Sequence, residues 1–572
     1  MKLAPQQGRA LIVVGALASV FTALAFRLFD LHVLQHKELS ALAQANREQV
    51  VHRQGRRGSI LDANGNWLAD SLSVHIVTAD ATITAPQASM IAEKLAPVIG
   101  MDVDSLTQRL GGKSHYVRLN PRLKLDEDAV QRIRAMKLKG IYFEDQFIRS
   151  YPNGPLASHV IGFVDAEHKG VQGIEASMDD YLQGQAGYEV IERDRKGREI
   201  RALRTEDIGP QDGLNVVLTI DQVIEHIAEQ ELEKAMAEFK PQGGVIIVSR
   251  PKTGEILAMS SRPTFDPTEM DASSADARRN RCISDVAEPG STFKIVVCSG
   301  ALNEGIVTLA DQFDCENGAF MYAGRVLHDA HPFGVLSVEE ILFHSSNIGA
   351  AKVGLRMGPA RLYEYIRRYG FGRKTEIALP GEVSGIAHPL ARWNSLSITR
   401  IPMGHEIAVT PLQMLMAINT IANNGVRMKP MIVKSIVSED GATVLQYQPR
   451  AVGPVIAPHT SELMATALRK VVGPEGTAPK AAVQGFDVAG KTGTAQKVEN
   501  GQYVRKYYSS FIGYFPASNP EISILVSLDD PVGGAYYGGS VAGPVFRAVA
   551  EKIAEYLGMV PQSPPPEVTR VS

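Results

Sequence analysis

Phe486-Asp487-Val488-Ala489-Gly490-Lys491-Thr492-Gly493-Thr494-Ala495-Gln496-Lys497 reads as a strand, and Tyr508 to Pro516 follows as a second β-type run. The two are expected to be neighbours. Much earlier, Val245 to Val248 and Ile256 to Met259 are apolar β-type runs joined by a turn at Pro251 to Gly254. Helix-like segments lie before this hairpin, at Val223 to Phe239, and between the two pairs of strands, at Ser337 to Arg356 and Pro411 to Ala422. Strands early and late with helices between them predict an α+β domain whose two chain ends share one sheet. Gly493 carries no side chain, so an extended peptide can approach that backbone and pair with it, with Lys491 facing a substrate carboxylate. The plainer reading is a hairpin with solvent-facing lysines.

Two further strings precede this one in order, Ser291-Thr292-Phe293-Lys294 and Ser345-Ser346-Asn347. Alone, a Ser followed three residues later by Lys is expected about once or twice by chance in a chain of this length. Ser249-Arg250-Pro251-Lys252 repeats that pattern here, and Lys252-Thr253-Gly254 repeats the Lys-Thr-Gly one. Context separates them: Pro251 keeps Ser249 and Lys252 off one helical face. Ser291 instead follows the turn Pro289-Gly290 and opens a mostly apolar run to Leu302, a plausible helix start. On a helix, positions three apart share a face, which puts the Lys294 amine beside the Ser291 hydroxyl, at an end where N–H groups favour an anion. A capping Ser followed by a half-buried Lys is the ordinary alternative. The order of all three strings favours chemistry.

A serine hydroxyl attacks poorly until a base removes its proton, and no His and Asp stand persuasively near Ser291. Lys294 is the available base. Its pKa must fall from about 10.4 to about 7–8, which is about 4 kcal/mol. Burial on an apolar helix and repulsion from Lys491 both act in that direction. Ser345 and Asn347 are placed to relay a proton and hold a substrate amide. The expected cycle is attack on a carbonyl, an oxyanion held by the backbone N–H groups of Ser291 and Thr494, then an acyl-enzyme resolved by an amine or water. Neither a His-Glu-x-x-His string nor a convincing Cys/His cluster is present, so no metal or organic cofactor is expected.

With 572 residues and a formal net charge of -3, the chain exceeds one ordinary domain and carries no basic excess that would point to nucleic acid. Residues 10–26 are uncharged and as a helix cover about 25 Å, enough to span a bilayer. Lys2 and Arg9 precede them without an acid, which favours a cytoplasmic N-terminus (1–9) and an exported remainder. Ala23-Leu24-Ala25 also fits a signal-peptide cut, but Phe26, Leu28, Phe29, Leu31, Val33 and Leu34 prolong the apolar helix beyond it. Cys282, Cys298 and Cys315 are too few for a disulfide framework. A mixed, non-catalytic segment is expected over 27–214, the catalytic domain over 215–560, and a disordered Pro-rich tail over 561–572.

The three strings, in this order, resemble those of penicillin-binding proteins. Arg57-Gly58-Ser59-Ile60-Leu61-Asp62 with Asn64-Gly65, Arg149-Ser150-Tyr151-Pro152 and Gly170-Val171-Gln172-Gly173-Ile174-Glu175 resemble boxes of the class B non-catalytic domain, with Ala63 where a basic residue is usual. The resemblance implies the penicillin-binding transpeptidase fold and D,D-transpeptidation of D-Ala-D-Ala stem peptides, inhibited by β-lactams. It implies Ser291 as the acylated nucleophile, Lys294 as base, Ser345 and Asn347 as the second motif, and Lys491, Thr492, Gly493 and Thr494 as the third. Glu288-Pro289-Gly290 and Tyr536 to Pro544 look more like the cell-division branch, which implies a membrane glycosyltransferase and other division proteins as partners. The rivals are a D,D-carboxypeptidase or β-lactamase, a β-lactam sensor, and a division scaffold.

Overall fold

The computed structural model describes residues 5–45, 48–119, 125, 127–192, 206–499, 501–532 and 536–562. Nearly all of the Pro-rich tail lies outside them. The chain forms two compact units, one of residues 1–56 and 184–212, the other of 57–183 and 213–572.

In the first unit, a helix over Pro5–Phe29 continues through one π-helical turn, Asp30–Leu34, and is followed by a second helix, His36–Ala45. Within Gly8–Leu34 an 18-residue window has a mean hydropathy of 2.2 and none of it is buried in the protein, as in a membrane-crossing helix. The apolar stretch thus runs past Phe26. Strands Glu48–Arg53, Gly187–Glu192 and Glu206–Ile208 complete this unit as a small antiparallel sheet.

In the second unit, β1 (Gly243–Ser249), β2 (Ile256–Arg262), β3 (Ala489–Glu499), β4 (Gln502–Phe515) and β5 (Ile522–Asp529) make one antiparallel sheet in the order β2-β1-β5-β4-β3. Early and late strands do share a sheet. Ile246 of β1 stands opposite Val526 of β5, and β3 is an edge strand. The Ser249 to Lys252 string is the turn of the β1–β2 hairpin, with Ser249 buried against Asn419 and Lys252 turned to Asn519.

Around the sheet lie α1 (Gln222–Phe239), α2 (Lys294–Asn303), α3 (Val338–His344), α4 (Asn347–Met357), α5 (Pro411–Ala422), α6 (Pro458–Val472) and α7 (Gly538–Tyr556). Local sequence sets their starts. The Asp221 carboxylate caps α1 through the Val223 and Ile224 N–H groups, and Thr410 with Gln413 forms a capping box on α5 just before Pro411 at its first turn. Helices α1, α5 and α7 pack on the sheet, and every residue of β1 and β2 is buried, which accounts for their unbroken apolar runs. Helix α2 is buried from Lys294 to Leu302 and packs against α4 and α6. A helix apolar all round belongs in a core.

A second sheet joins residues 433–437 and 443–446 through Asn215–Leu218 to Ile60–Leu61 and Trp67–Ala79, which pairs along its length with Ile141–Ser150. The 67–79 and 141–150 pair has its own apolar core with helices Ala88–Ile99, Val103–Leu110 and Glu127–Ala135. Between the two cores, Glu175 accepts from Arg57 Nε at 2.7 Å and Arg149 Nε at 2.6 Å, and Arg57 also reaches Asp179. The Arg57, Arg149 and Glu175 boxes therefore meet in one buried ion cluster.

Candidate active site

Ser291 stands in a 3₁₀ turn, Gly290–Phe293, that leads into α2, so the helix begins at Lys294 and not at Thr292. The i,i+3 relation survives the tighter turn. Lys294 Nζ lies 2.8 Å from Ser291 Oγ, 2.6 Å from the Ser345 carbonyl oxygen, 2.8 Å from Asn347 Oδ1 and 3.2 Å from Ser345 Oγ. Its side chain is fully buried. Burial pushes the amine down to about 7, against the pull of the Asp329 carboxylate. A neutral amine has two N–H bonds and one lone pair. The Ser345 carbonyl and Asn347 Oδ1 accept hydrogen and cannot donate it, so they take the two N–H groups and leave the lone pair for the Ser291 hydroxyl.

Ser345 makes this possible by an unusual backbone. It ends α3 in the left-handed region, φ 64°, which turns its carbonyl back onto Lys294. Its hydroxyl also accepts from Lys491 Nζ at 2.8 Å, so one oxygen joins both lysines. Lys491 is fully buried, and its pKa falls well below the usual lysine range through burial first and the Lys294 charge second. Repulsion between the amines is thus felt at Lys491, whereas burial lowers Lys294.

Asn347 opens α4, and the middle residue of its motif, Ser346, faces away from Lys294. Ser346 Oγ caps Gly349 N–H and donates to Asp329 Oδ2 at 2.7 Å. The other Asp329 oxygen accepts from the N–H groups of Asn347 and Ile348. Asn347 Nδ2 donates to the His328 carbonyl, which aims Oδ1 at Lys294. A helix-capping position accepts Ser as readily as Asp, which explains a Ser-Ser-Asn string here.

On β3, Thr492, Thr494 and Gln496 line the cleft in the two-residue period of a strand. Thr492 Oγ1 meets Thr477 Oγ1 at 3.0 Å, and Thr494 Oγ1 accepts from Gly538 N–H. The side-chain space at Gly493 is filled from within: a Cβ there would stand 2.3 Å from Ser510 Oγ and 2.9 Å from Thr292 Cγ2. Gly493 therefore lets the nucleophile turn seat against β3. Gly493→Ala is expected to shift that turn and lower the rate of penicillin acylation about a hundredfold, read by stopped-flow labelling, because displacements of about 1 Å have that effect.

Of the residues singled out in the sequence, Ser291, Ser345, Asn347, Thr492 and Thr494 line this one cleft; Lys294 and Lys491 are buried behind it against Ser291 and Ser345, and Gly493 packs on the nucleophile turn. Others were not foreseen: Asp329 behind the second motif, the stack of Tyr507, Tyr536 and Tyr537 on one side, and Phe333 against His344 on the other. Asp329 is brought in from 17 residues before Ser346, with no local pattern to mark it. Cys298 is buried, its thiol pushed up to about 12 by burial, and is chemically quiet. Among the described residues no His/Cys/Asp/Glu group is arranged to hold a metal.

A serine hydrogen-bonded to a buried neutral lysine, beside an edge strand, defines the class of serine acyl-transfer enzymes. The penicillin binding protein transpeptidase domain matches residues 244–551, and the penicillin-binding protein dimerisation domain matches residues 52–218. Stage V sporulation protein D of Bacillus subtilis is 34% identical over 552 residues, covering 95% of this chain and 85% of that protein. Peptidoglycan D,D-transpeptidase FtsI of Escherichia coli is 31% identical over 515 residues, 89% and 84% of the two chains. The crystal structure of penicillin binding protein 3 from Mycobacterium tuberculosis complexed with aztreonam superposes with a TM-score of 0.70 at 28% identity, covering 90% of this chain and 99% of that one. The chain belongs to the class B penicillin-binding proteins of the cell-division type.

Proposed function

We propose that this protein cross-links peptidoglycan by D,D-transpeptidation during septal wall synthesis, taking D-Ala-D-Ala stem peptides as donors and β-lactams as inhibitors. The observation that carries the reading is Lys294 Nζ, held by two pure acceptors so that its lone pair meets Ser291 Oγ. Ser291 attacks the carbonyl before the terminal D-Ala while Lys294 takes its proton and passes it, with Ser345, to the departing amine. The backbone N–H groups of Ser291 and Thr494 hold the oxyanion. Lys491, with Thr492 and Thr494, receives the terminal carboxylate, Asn347 holds the substrate amide, and the donor lies along β3 about Gly493. The cycle uses no cofactor.

Residues 10–26 anchor the protein in the plasma membrane as part of the Gly8–Leu34 helix, with residues 1–9 cytoplasmic because Lys2 and Arg9 flank that end. Residues 27–214 form the non-catalytic domain through which a membrane glycosyltransferase and other division proteins bind, and 215–560 the transpeptidase domain. Labelling with a fluorescent penicillin followed by mass spectrometry tests the core of this reading. The adduct is expected on Ser291 and is lost in Ser291→Ala. An adduct on any other residue would overturn it.

A further inference from the structure

Three segments meet just upstream of the nucleophile. Glu288 Oε1 accepts the Glu406 N–H at 2.9 Å, and Glu288 Oε2 accepts from the Tyr503 hydroxyl at 3.1 Å. The Tyr503 oxygen is 2.8 Å from His405 Nδ1, and that nitrogen is 3.5 Å from Glu288 Oε2. His405 lines the cleft together with Gly290, Ser291 and Met403. Its Nε2 has no hydrogen-bond partner among the described residues. The turn that carries His405 is pinned to the nucleophile segment: Gly290 N–H donates to the Gly404 carbonyl, and a Cβ on Gly404 would lie 2.1 Å from the Gly290 oxygen.

The second half-reaction needs a proton acceptor that the first does not. An alkyl amine with a pKa near 10.4 reaches the enzyme at pH 7 as an ammonium in all but about one molecule in 2,500, and an ammonium has no lone pair with which to attack. It must lose one proton before attack and another after it. Lys294 serves the second loss, returning that proton to Ser291 Oγ as the acyl–oxygen bond breaks. Nothing in the Ser291, Lys294 and Ser345 arrangement takes the first.

We propose that His405, Tyr503 and Glu288 deprotonate the acceptor amine in the cleft before it attacks the acyl-enzyme. This rests on the acyl-transfer reading above. The ammonium gives a proton to His405 Nε2, Nδ1–H passes one to the Tyr503 oxygen, and the Tyr503 hydroxyl proton moves to the Glu288 carboxylate, which releases it to water. The freed amine then forms the C–N bond as the C–Oγ bond to Ser291 breaks. His405 touches the substrate; Tyr503 and Glu288 position it and carry the proton onward.

The electrostatic surroundings fit a conduit. Burial holds the His405 imidazole at about 4, helped by the Arg400 and Lys294 charges, so it passes a proton and does not store it. Burial raises Glu288, with the Glu406 carboxylate adding to the effect and the bonds from Glu406 N–H and Tyr503 and the Arg400 charge opposing it. Glu406 is itself held by Ser397 at 2.6 Å and lies 3.8 Å from Arg400.

The test compares the full chain with His405→Gln, Tyr503→Phe and Glu288→Gln, using an N-acyl-D-alanyl thioester as donor and D-alanine as amine acceptor. At pH 7 each variant should lower the ratio of amide product to hydrolysis product by about a hundredfold, the lower end of the range for a general acid–base group. The deficit should shrink towards pH 10.4, where about half of the amine arrives already deprotonated. Penicillin acylation of Ser291, measured in parallel, should change much less than that ratio. An unchanged ratio, a deficit equal at both pH values, or a parallel fall in acylation would each overturn the relay, the last two by assigning the cluster a purely structural role. Failure of penicillin to label Ser291 in the unaltered protein would instead remove the acyl-transfer reading itself.

Discussion

Lys294→Gln will lower the rate of penicillin acylation by about a thousandfold or more, within the range associated with loss of a general base. Glutamine is one atom shorter but keeps two N–H groups of the kind that the Ser345 carbonyl and Asn347 Oδ1 accept, and it offers Ser291 no basic lone pair. In the unaltered protein acylation should fall about tenfold for each pH unit below 7 and level off above it, because Lys294 with a pKa of about 7 is a base only when neutral. The sign of the stability effect follows from the same value. The folded pKa lies below the unfolded 10.5, so between about 7 and 10.5 the unfolded chain binds more protons, and stability rises with pH across that window. Against Lys294→Met, the unaltered protein should gain about 2 kcal/mol in relative stability between pH 7 and pH 9, the slope rising to about 1.4 kcal/mol per unit once the folded amine is mostly neutral. Urea melts at the two pH values measure it; a flat difference would mean that Lys294 is charged in the fold.

Glu175→Ala should be the most damaging change far from the cleft, costing about 3–5 kcal/mol. The alanine leaves Arg57 and Arg149 buried with the carboxylate between them gone, and the remaining Asp179 contact touches only Arg57. Stability of a domain is about 5–15 kcal/mol, so this is a large share of it. Urea denaturation followed by circular dichroism checks the magnitude. Glu175→Gln, which keeps the shape and one acceptor oxygen, should lose less; equal losses would mean that packing and not charge governs the site.

Much of the fold could be read from local patterns. Pro251 separated a false Ser-x-x-Lys from the one at Ser291, and β3, β4 and the β1–β2 hairpin stand where the β-type runs and the turn between them placed them. The break inside Ser337 to Arg356 falls after His344, where Ser345 adopts a left-handed conformation that its side chain does not require. Asp329, Tyr503 and His405 escaped notice for a different reason, and Glu288 stood out only as part of a string resembling the cell-division branch. Glu288 and Tyr503 are 215 residues apart, and only the pairing of β3 with β4 and the pinned Gly404 turn bring them together. The weight given to Lys491 as the cause of the Lys294 shift was misplaced, since enclosure in α2 dominates it.

The position of β5 between β1 and β4 bears on how the molecule is made. β1 is among the first parts of the catalytic sheet to leave the ribosome, yet one of its edges stays bare until residues 522–529 arrive. During synthesis Ser291 is present for some two hundred residues before β3, on which its turn seats, and for longer before β5 closes the sheet, so no partial chain should capture an antibiotic. Premature termination anywhere before β5 would therefore yield a silent polypeptide, not a weakened catalyst.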